Sequence, residues 1–329
     1  MQTRIGVIGV GGFCANYHLP HLLSRTDVEI TAVCDEDAER LQALDDRLAD
    51  AARFTDYRPL LDLDLDTILI STPNIYHFDQ CQAALARNLH VLVDKPLTMT
   101  SQEAAALVES SHARDRILMT AYTRHFMASA QKVRGHIASG DSPQAITAVQ
   151  RKNIDDRSPE HGGILHSRAV HILDLVPWLL QRPIIGVEGR VDYGPEGYET
   201  LVDVRLAFKD GPSAHLLCIS GDGEYQDEIS VYGREQSFRI EKERLYAMGR
   251  RGLWSPVDVS QMGASHSDAG PLPDGGNSTD HFIDAVQGKV AAIDSPTSLG
   301  GQDGLQALRV VEAIKESGQS GRFVDIPEE

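Results

Sequence analysis

The most constraining feature of the sequence is a short apolar run that ends in a cluster of glycines and then continues with helix-like spacing. The run covers residues 4–8, and the glycines are Gly9, Gly11 and Gly12. This order predicts a strand, a tight turn and the start of a helix. Glycines leave no Cβ between the main chain and a bound phosphate, and the N–H groups of the following helix attract an anion. A glycine-rich turn is also a common structural device, so the pattern alone leaves both interpretations open.

Length and charge restrict the class of protein. A chain of 329 residues predicts two domains, and 41% hydrophobic and 24% charged residues are ordinary for a globular protein. The formal net charge of −17 argues against binding to a nucleic-acid backbone, which depends on clustered Lys and Arg. We therefore expect no nucleic-acid partner.

The lack of a recognisable targeting signal and the spacing of the cysteines predict a cytoplasmic protein. The first residues lack the apolar region of a signal peptide, and no apolar run approaches the roughly 20 residues that cross a bilayer, so we expect no membrane partner. Cys14, Cys34, Cys81 and Cys218 show no CxxC spacing. Neither disulfides nor a metal site is expected.

Strand and helix patterns alternate through residues 1–122. The predicted strands after the glycine turn are 30–34, 67–71, 90–94 and 117–121, and the predicted helices are 35–49, 79–88 and 101–112. Thr100 and Glu103 form a capping box for the last helix. This alternation predicts an α/β domain, a doubly wound parallel sheet of the Rossmann type, with its ligand crevice at the carboxyl ends of the strands.

Asp35 follows the second predicted strand, about 20 residues after the glycine turn. An acidic residue at this spacing accepts hydrogen bonds from the adenosine ribose of a dinucleotide. Its charge would repel a 2′-phosphate, which favours NAD over NADP as the cofactor. Alternatively, Asp35 caps the next helix, since aspartate is a good N-cap.

Residues 123–329 have a different pattern, which predicts an α+β domain for substrate binding and oligomerisation. Predicted strands cover 145–152, 184–193, 199–208, 213–220, 226–233 and 236–241. Consecutive strands with short turns indicate a large, mostly antiparallel sheet with one face packed on helices. Its other face is expected to form a homodimer or homotetramer interface, or else to be solvated. A long loop at 255–278 and helices at 279–288 and 302–317 complete the chain.

Two strand ends identify a family. Residues 71–77 (Ser-Thr-Pro-Asn-Ile-Tyr-His) and 94–97 (Asp-Lys-Pro-Leu), with His18-Leu19-Pro20 after the glycine turn, resemble the Gfo/Idh/MocA oxidoreductases over nearly the whole chain. The Asp-Lys-Pro variant and residues 123–126 look closest to MviM-type members. The resemblance implies a nicotinamide cofactor. The implied cofactor-binding residues are Gly9, Gly11, Gly12, Phe13, Cys14, Asp35, Thr72, Pro73, Asn74, His77, Asp94 and Lys95.

Lys95 is the first predicted catalytic residue. At the carboxyl end of a strand, its ammonium can hydrogen-bond a substrate hydroxyl and stabilise negative charge that develops on the oxygen during hydride transfer. A lysine at a strand end is otherwise usually solvated. The resemblance places this lysine near the nicotinamide, followed by a proline that is often cis.

His171 is the second predicted catalytic residue. Residues 162–174 look like the family's Gly-Gly-x-x-x-Asp-x-Gly-x-His-x-x-Asp helix, which makes His171 the general base. In this chain Ser167 replaces the first aspartate and Ala169 the glycine. A serine hydroxyl supplies no charge to raise the basicity of the imidazole. On a regular α-helix, His166 lies about 140° from His171 and cannot take over.

The remaining candidates are substrate contacts. By family position they are Tyr122, Arg124, Lys152, Ser167 and Asp174, and a solvated or structural role is the alternative for each.

The sequence therefore predicts an NAD-dependent oxidoreductase that acts on a secondary alcohol of a sugar, polyol or sugar-like acid. Two alternatives stay open. One is an NAD-binding sensor with weak or no turnover, which Ser167 motivates. The other is an NAD-dependent glycosidase that works by oxidation and elimination, as some family branches do.

Overall fold

The computed structural model describes residues 2–44, 46–152, 160–221, 225–249, 252–260, 277–290 and 301–327. The chain divides into two compact units. The first comprises Met1–Tyr122 and Ser267–Leu305, and the second comprises Thr123–His266 and Gln306–Glu329. Of the described ranges beyond Tyr122, residues 277–290 and 301–305 belong to the first unit. Within the described ranges, no helix combines the length and the apolar character that a membrane span requires.

The first unit contains, among its described residues, a six-stranded parallel sheet. Its strands are β1 (Thr3–Ile8), β2 (Val28–Cys34), β3 (Ala52–Phe54), β4 (Thr67–Ile70), β5 (His90–Val93) and β6 (Leu118–Thr120). The order is β3-β2-β1-β4-β5-β6, and all neighbouring pairs are parallel. Strand β4 is buried at every position, as expected for a sheet covered on both faces. The predicted fold class is confirmed, and the strand order reverses between β1 and β4, where such sheets bind ligands.

Helices connect the strands of the first unit and cover the sheet of the second. The α-helices are α1 (Leu19–Ser24), α2 (Ala38–Gln42), α3 (Tyr57–Leu60), α4 (His77–Ala86), α5 (Ser101–Ala113), α6 (Ala128–Ala138), α7 (Val170–Leu180), α8 (Ser278–Val286) and α9 (Gly301–Ser320). The capping box of Thr100 and Glu103 at α5 is confirmed.

The predicted helix at 35–49 is wrong in its extent. Helix α2 covers only Ala38–Gln42, and a single 3₁₀ turn follows at Asp46–Leu48. The carboxylate of Asp37 accepts hydrogen bonds from the N–H groups of Glu39 and Arg40, so Asp37 is the N-cap. Asp35 therefore does not cap this helix.

The second unit contains, in the part of the chain that is described, a nine-stranded sheet. Its strands are β7 (Ala145–Lys152), β8 (Ile184–Tyr193), β9 (Glu199–Phe208), β10 (Ser213–Ser220), β11 (Gln226–Tyr232), β12 (Ser237–Glu241), β13 (Arg244–Met248), β14 (Trp254–Val257) and β15 (Val324–Asp325). The order is β14-β13-β12-β11-β7-β10-β9-β8-β15, and β7–β10 is the one parallel pair within it. The prediction of a mostly antiparallel sheet is confirmed.

Alternating burial explains why these strands were recognisable. On β9, Val202, Val204 and Leu206 are fully buried and join the core under α7 and α9, while Asp203 and Arg205 point to the other face. Strands β13, β14 and β15 were not predicted, because β14 and β15 have only four and two residues and β13 has a single buried position. Strand β14 occupies the start of the predicted loop at 255–278, of which residues 261–276 lie outside the described ranges.

Candidate functional site

The glycine turn joins β1 to a helical segment at the centre of the first sheet. Gly9 has φ +87°, and a Cβ there would lie 2.6 Å from the carbonyl carbon of Ser71 and 2.9 Å from Cγ2 of Thr72. Glycine is therefore required both for the backbone conformation and for the close approach of the two strand ends. A Cβ on Gly11 or Gly12 would meet no described atom within 4 Å. This side of the turn has room for a phosphate.

The helical segment after the turn is wider than an α-helix. Residues Cys14–His18 form a π turn, in which the N–H of Leu19 donates to the carbonyl of Cys14, five residues back. Cys14 is fully buried, so its small side chain packs closely at the start of this helical segment. Phe13 is exposed and stacks on Tyr17, with ring centroids 5.1 Å apart.

Asp35 lies at the end of β2 and is buried against the glycine turn. Its Oδ2 accepts the N–H of Val10 at 2.9 Å, and its Oδ1 accepts the N–H of Asp37 at 3.0 Å. A carboxylate has about four acceptor positions, so these bonds leave capacity for a ribose hydroxyl. Nη1 of Arg40 lies 3.4 Å from Oδ1 of Asp35. The sequence reasoning missed Arg40, although an arginine near this position can accommodate a 2′-phosphate.

The end of β4 carries Thr72, Pro73, Asn74 and His77. Oγ1 of Thr72 donates to Oε1 of Gln80 at 2.7 Å, and Asn74 is buried in a 3₁₀ turn. The imidazole of His77 is fully buried: Nδ1 lies 2.7 Å from the carbonyl oxygen of Pro96, and Nε2 lies 2.9 Å from that of Thr72. His77 therefore connects the turn that follows β4 with the turn that follows β5.

The end of β5 carries the Asp94-Lys95-Pro96 turn. The Lys95–Pro96 peptide bond is cis, as the resemblance implies, and Lys95 is half-buried. Oδ1 of Asp94 lies 3.0 Å from Nε2 of His18, and Oδ2 accepts a hydrogen bond from the hydroxyl of Ser71. Burial raises the pKa of Asp94, but the His18 imidazole and the Ser71 hydroxyl outweigh it and hold that pKa below its ordinary value. Asp94 is therefore a carboxylate at neutral pH.

These features fit a dinucleotide. The glycine turn, Asp35, the Thr72–Pro73 turn and the Asp94–Pro96 turn all follow carboxyl ends of β1, β2, β4 and β5 in one parallel sheet. That edge is where open α/β sheets bind ligands. The open side of Gly11 and Gly12 leaves space for a diphosphate, and the Asp35 carboxylate has acceptor positions left for a hydroxyl.

The predicted catalytic helix of the second unit begins with another π turn. It covers Leu165–Ala169, the N–H of Val170 donates to the carbonyl of Leu165, and α7 follows. Angles that hold for a regular α-helix, including the separation of His166 from His171, therefore do not apply here. Ser167 and His171 are both buried. The hydroxyl of Ser167 donates to the carbonyl of Gly163 at 2.9 Å, which uses its only proton.

A buried carboxylate lies against the glycine pair that precedes this turn. The side-chain carboxyl carbon of Glu199 would lie 2.7 Å from a Cβ on Gly163. Oε1 of Glu199 is 3.3 Å from Nζ of Lys315 on α9. Gly163 therefore provides the space for this ion pair.

Asp174, a predicted substrate contact, lies against His125. Its Oδ2 is 2.7 Å from Nε2 of His125, and both side chains are buried. The His125 ring stacks on Trp178, with centroids 4.5 Å apart. Burial raises the pKa of Asp174, and the imidazole acts against that increase. The sequence reasoning missed His125, since no local spacing connects it to Asp174.

The guanidinium of Arg124, another predicted substrate contact, is held by Asp227 on β11. Nη1 of Arg124 lies 3.0 Å from Oδ1 of Asp227, and Nη2 donates to Oδ2. The hydroxyl of Tyr225 donates to the same carboxylate at 2.9 Å. Burial, together with the Asp227 charge, raises the pKa of Tyr225 to about 12.

The last two substrate candidates lie at strand ends. Tyr122 is buried just after β6 in the first unit, and Lys152 is the final residue of β7 in the second. Residues 153–159, which follow Lys152, lie outside the described ranges. The four cysteines are buried and free, and no group of three or more His, Cys, Asp or Glu side chains in the described ranges is arranged to hold a metal.

The parallel sheet with its glycine turn, followed by a large mixed sheet, defines a class of two-unit dinucleotide-binding proteins. Residues 3–122 match an oxidoreductase family with an NAD-binding Rossmann fold, and residues 130–239 match the GFO/IDH/MocA C-terminal domain. The chain belongs to the Gfo/Idh/MocA family, which confirms the resemblance.

Two relatives named as dehydrogenases are similar to this chain at 24% and 23% identity. The D-glucoside 3-dehydrogenase of Escherichia coli K12 is 24% identical over 193 residues, so the chain spans about half of that protein, 55% of each. The myo-inositol 2-dehydrogenase of Thermotoga maritima is 23% identical over 350 residues, 99% of both chains. The structure of aldose-aldose oxidoreductase from Caulobacter crescentus in complex with glycerol has a TM-score of 0.84 at 18% identity and covers 99% of this chain and 100% of its own. That likeness shows the shared fold.

Proposed function

We propose that the protein is an NAD-dependent oxidoreductase that transfers hydride between the nicotinamide and a secondary alcohol of a sugar, polyol or sugar-like acid. The observation that carries the proposal is the Asp94-Lys95-Pro96 turn at the carboxyl end of β5, in the same parallel sheet as the glycine turn. The family supports redox chemistry with NAD. Relatives named for a glucoside and for inositol support a polyhydroxylated substrate.

The proposal assigns roles to six of the predicted residues. The main chain at Gly9, Gly11 and Gly12 holds the diphosphate, and Asp35 accepts the ribose hydroxyls. Bound NAD supplies the hydride acceptor. Lys95 donates a hydrogen bond to the substrate oxygen and stabilises its developing negative charge, while His171 removes the hydroxyl proton.

The preference for NAD over NADP rests on Asp35. Its carboxylate would lie close to a 2′-phosphate and repel it. Arg40, 3.4 Å from that carboxylate, opposes this repulsion. We therefore expect NAD to bind more tightly than NADP by a modest factor.

A second candidate function is an NAD-binding sensor with weak or no turnover. Two observations favour it: position 167 holds a hydroxyl whose proton goes to Gly163, and the nearby carboxylate of Asp174 lies against His125. The family motif places negative charge near His171. In this chain that negative charge is reduced, because Ser167 replaces one aspartate and the other, Asp174, contacts His125. A redox screen separates the two functions.

We also propose that the protein forms a homodimer or homotetramer through the outer face of the second sheet. Val149, Leu217 and Ile219 are half-buried on that face, opposite the buried Ala148 and Leu216 of the same strands. Analytical ultracentrifugation tests this, and a monomer at micromolar concentration contradicts it.

The deciding experiment is a panel of sugars, polyols and sugar acids with NAD, monitored by NADH absorbance. We expect turnover with at least one substrate, and Lys95→Ala should lower kcat/KM by about 10²-fold or more. Lys132→Ala, which changes an exposed lysine of α6, is the matched control. Full activity of Lys95→Ala contradicts the mechanism, and NAD binding without turnover on the whole panel favours the sensor.

A further inference from the structure

The Lys95 turn is held on both sides by histidines that are fully buried. Nε2 of His18 lies 3.0 Å from the carboxylate of Asp94, the residue before Lys95. Nδ1 of His77 lies 2.7 Å from the carbonyl oxygen of Pro96, the residue after it. Neither ring is accessible to solvent, so neither is positioned to touch a substrate.

The proton on His18 can be assigned from its partners. Asp94 is ionised and accepts from Ser71 at its other oxygen, so Nε2 of His18 must carry the hydrogen of the 3.0 Å contact. Nδ1 of His18 lies 2.7 Å from Oγ1 of Thr279, at the start of α8. The ring is therefore fixed between α8 and the Asp94 carboxylate.

His77 contacts two acceptors and so is fixed as well. A neutral imidazole has one N–H and donates to either Pro96 or Thr72, whereas the protonated ring donates to both. Burial lowers the pKa of His77, and the Pro96 and Thr72 carbonyls and the Asp94 charge oppose that effect, while Lys95 adds to it. Nδ1 lies at the shorter of the two distances, so the Pro96 carbonyl is the acceptor assigned to the neutral ring.

We propose that His18 and His77 are positioning residues for Lys95: His18 holds the Asp94 carboxylate, His77 holds the Pro96 carbonyl, and together they fix the backbone from which the ammonium extends. The proposal rests on the proposed function, because hydride transfer is its main readout. Lysine carries its charge on a flexible four-carbon stem, and a mobile backbone would add further to the range of positions that the ammonium can occupy. A displacement of about 1 Å can cost about 10²-fold in rate.

Three variants isolate the His18 contact. His18→Phe keeps a ring beside Phe13 and Tyr17, whose centroids lie 5.3 and 5.1 Å away, and removes both nitrogens. His18→Gln returns an N–H donor for Asp94. His21→Phe is the control, since His21 also contacts α8, through Asn277 at 2.9 Å, and packs on Tyr17. We expect kcat to fall about tenfold to a hundredfold in His18→Phe, to recover largely in His18→Gln, and to stay near wild type in His21→Phe.

A double-variant cycle with Lys95→Ala separates positioning from general structural damage. If His18 acts through Lys95, His18→Phe lowers kcat in the wild-type background and has little further effect in Lys95→Ala. The same comparison applies to His77→Phe, with His77→Gln as the variant that retains one donor. If kcat falls by the same factor in the wild-type and the Lys95→Ala backgrounds, the proposal is overturned.

A second measurement does not need turnover. The rate at which acetic anhydride acylates Lys95 in the folded protein, followed by mass spectrometry at fixed pH, reports how firmly the half-buried ammonium is held. We expect several-fold faster acylation in His18→Phe and His77→Phe, and an unchanged rate in His21→Phe. Wild-type rates in both variants overturn the proposal, whereas an inactive wild type with these rate changes contradicts only the proposed function.

Discussion

The carboxylate of Asp141 offers a quantitative test of how the second unit is stabilised. Asp141 lies just after α6 and accepts hydrogen bonds from the N–H groups of Arg234 at 3.0 Å, Glu235 at 3.3 Å and Gln236 at 3.0 Å. Nε2 of His136 lies 3.0 Å from Oδ2 of the same carboxylate. These bonds close the turn between β11 and β12, so replacing the carboxylate should loosen that hairpin.

The magnitude follows from the pKa of Asp141. Burial raises this pKa, but the imidazole of His136 and the three backbone donors outweigh it and lower it from 3.8 to about 2. At about 1.4 kcal/mol per unit, the ionised form contributes at most about 2 kcal/mol to the free energy of unfolding, because solvent at this surface turn screens the interactions. Because the pKa is lower in the folded state, this contribution is complete above the ordinary pKa and is lost as the pH falls through about 2.

The assay is urea unfolding of Asp141→Asn and of the wild type, followed by tryptophan fluorescence. Trp178 and Trp254 are the two tryptophans of the chain, and both belong to the second unit, so the signal reports that unit. We expect the variant to be less stable by about 1–2 kcal/mol at neutral pH and the difference to disappear as the pH approaches about 2. Glu36→Gln, which changes an exposed carboxylate of the first unit, is the control. A difference of the same size at both pH values refutes the assignment to the carboxylate charge.

Three further substitutions test the predicted cofactor and catalytic residues. Gly9→Ala should lower the free energy of unfolding by at least about 1 kcal/mol and weaken NAD binding, because φ is +87° and the new Cβ would meet Ser71. Unchanged stability and an unchanged Kd for NAD in calorimetry would contradict this. Arg40→Gln should increase the preference for NAD over NADP a few-fold, since it removes the cation beside Asp35. Equal Kd ratios for wild type and variant would exclude that role. Ser167→Asp should raise kcat/KM if the missing charge limits the base, and a decrease would indicate that the serine serves a particular substrate.

The fold was largely predictable because the sequence patterns that indicate its strands and helices are local. Strands β7 to β10 have the predicted bounds, since alternating burial leaves a pattern with a period of two residues. Helix α2 was predicted to start too early because Asp35 and Asp37 are both good caps, and the choice between them depends on the contact of Asp35 with Val10. Both π turns also escaped prediction, because a single inserted residue leaves no periodic signature.

The candidate site was predictable only in part. The glycine turn and Lys95 stand out because their chemistry follows from residue type at a strand end. The partners of His18, His77 and His125 come from distant parts of the chain, and a histidine in a helical pattern gives no indication of which carboxylate or carbonyl it will meet. These contacts depend on tertiary packing, which a linear pattern does not encode.

The space that Gly163 leaves for Glu199 has a consequence for variation within the family. Any larger residue at position 163 would push the carboxylate away from Lys315 and leave a buried charge without its cation. The two positions are therefore expected to covary: relatives with a side chain at 163 should carry a smaller or uncharged residue at 199. For protein engineering near the predicted catalytic histidine, residue 199 has to be changed together with residue 163.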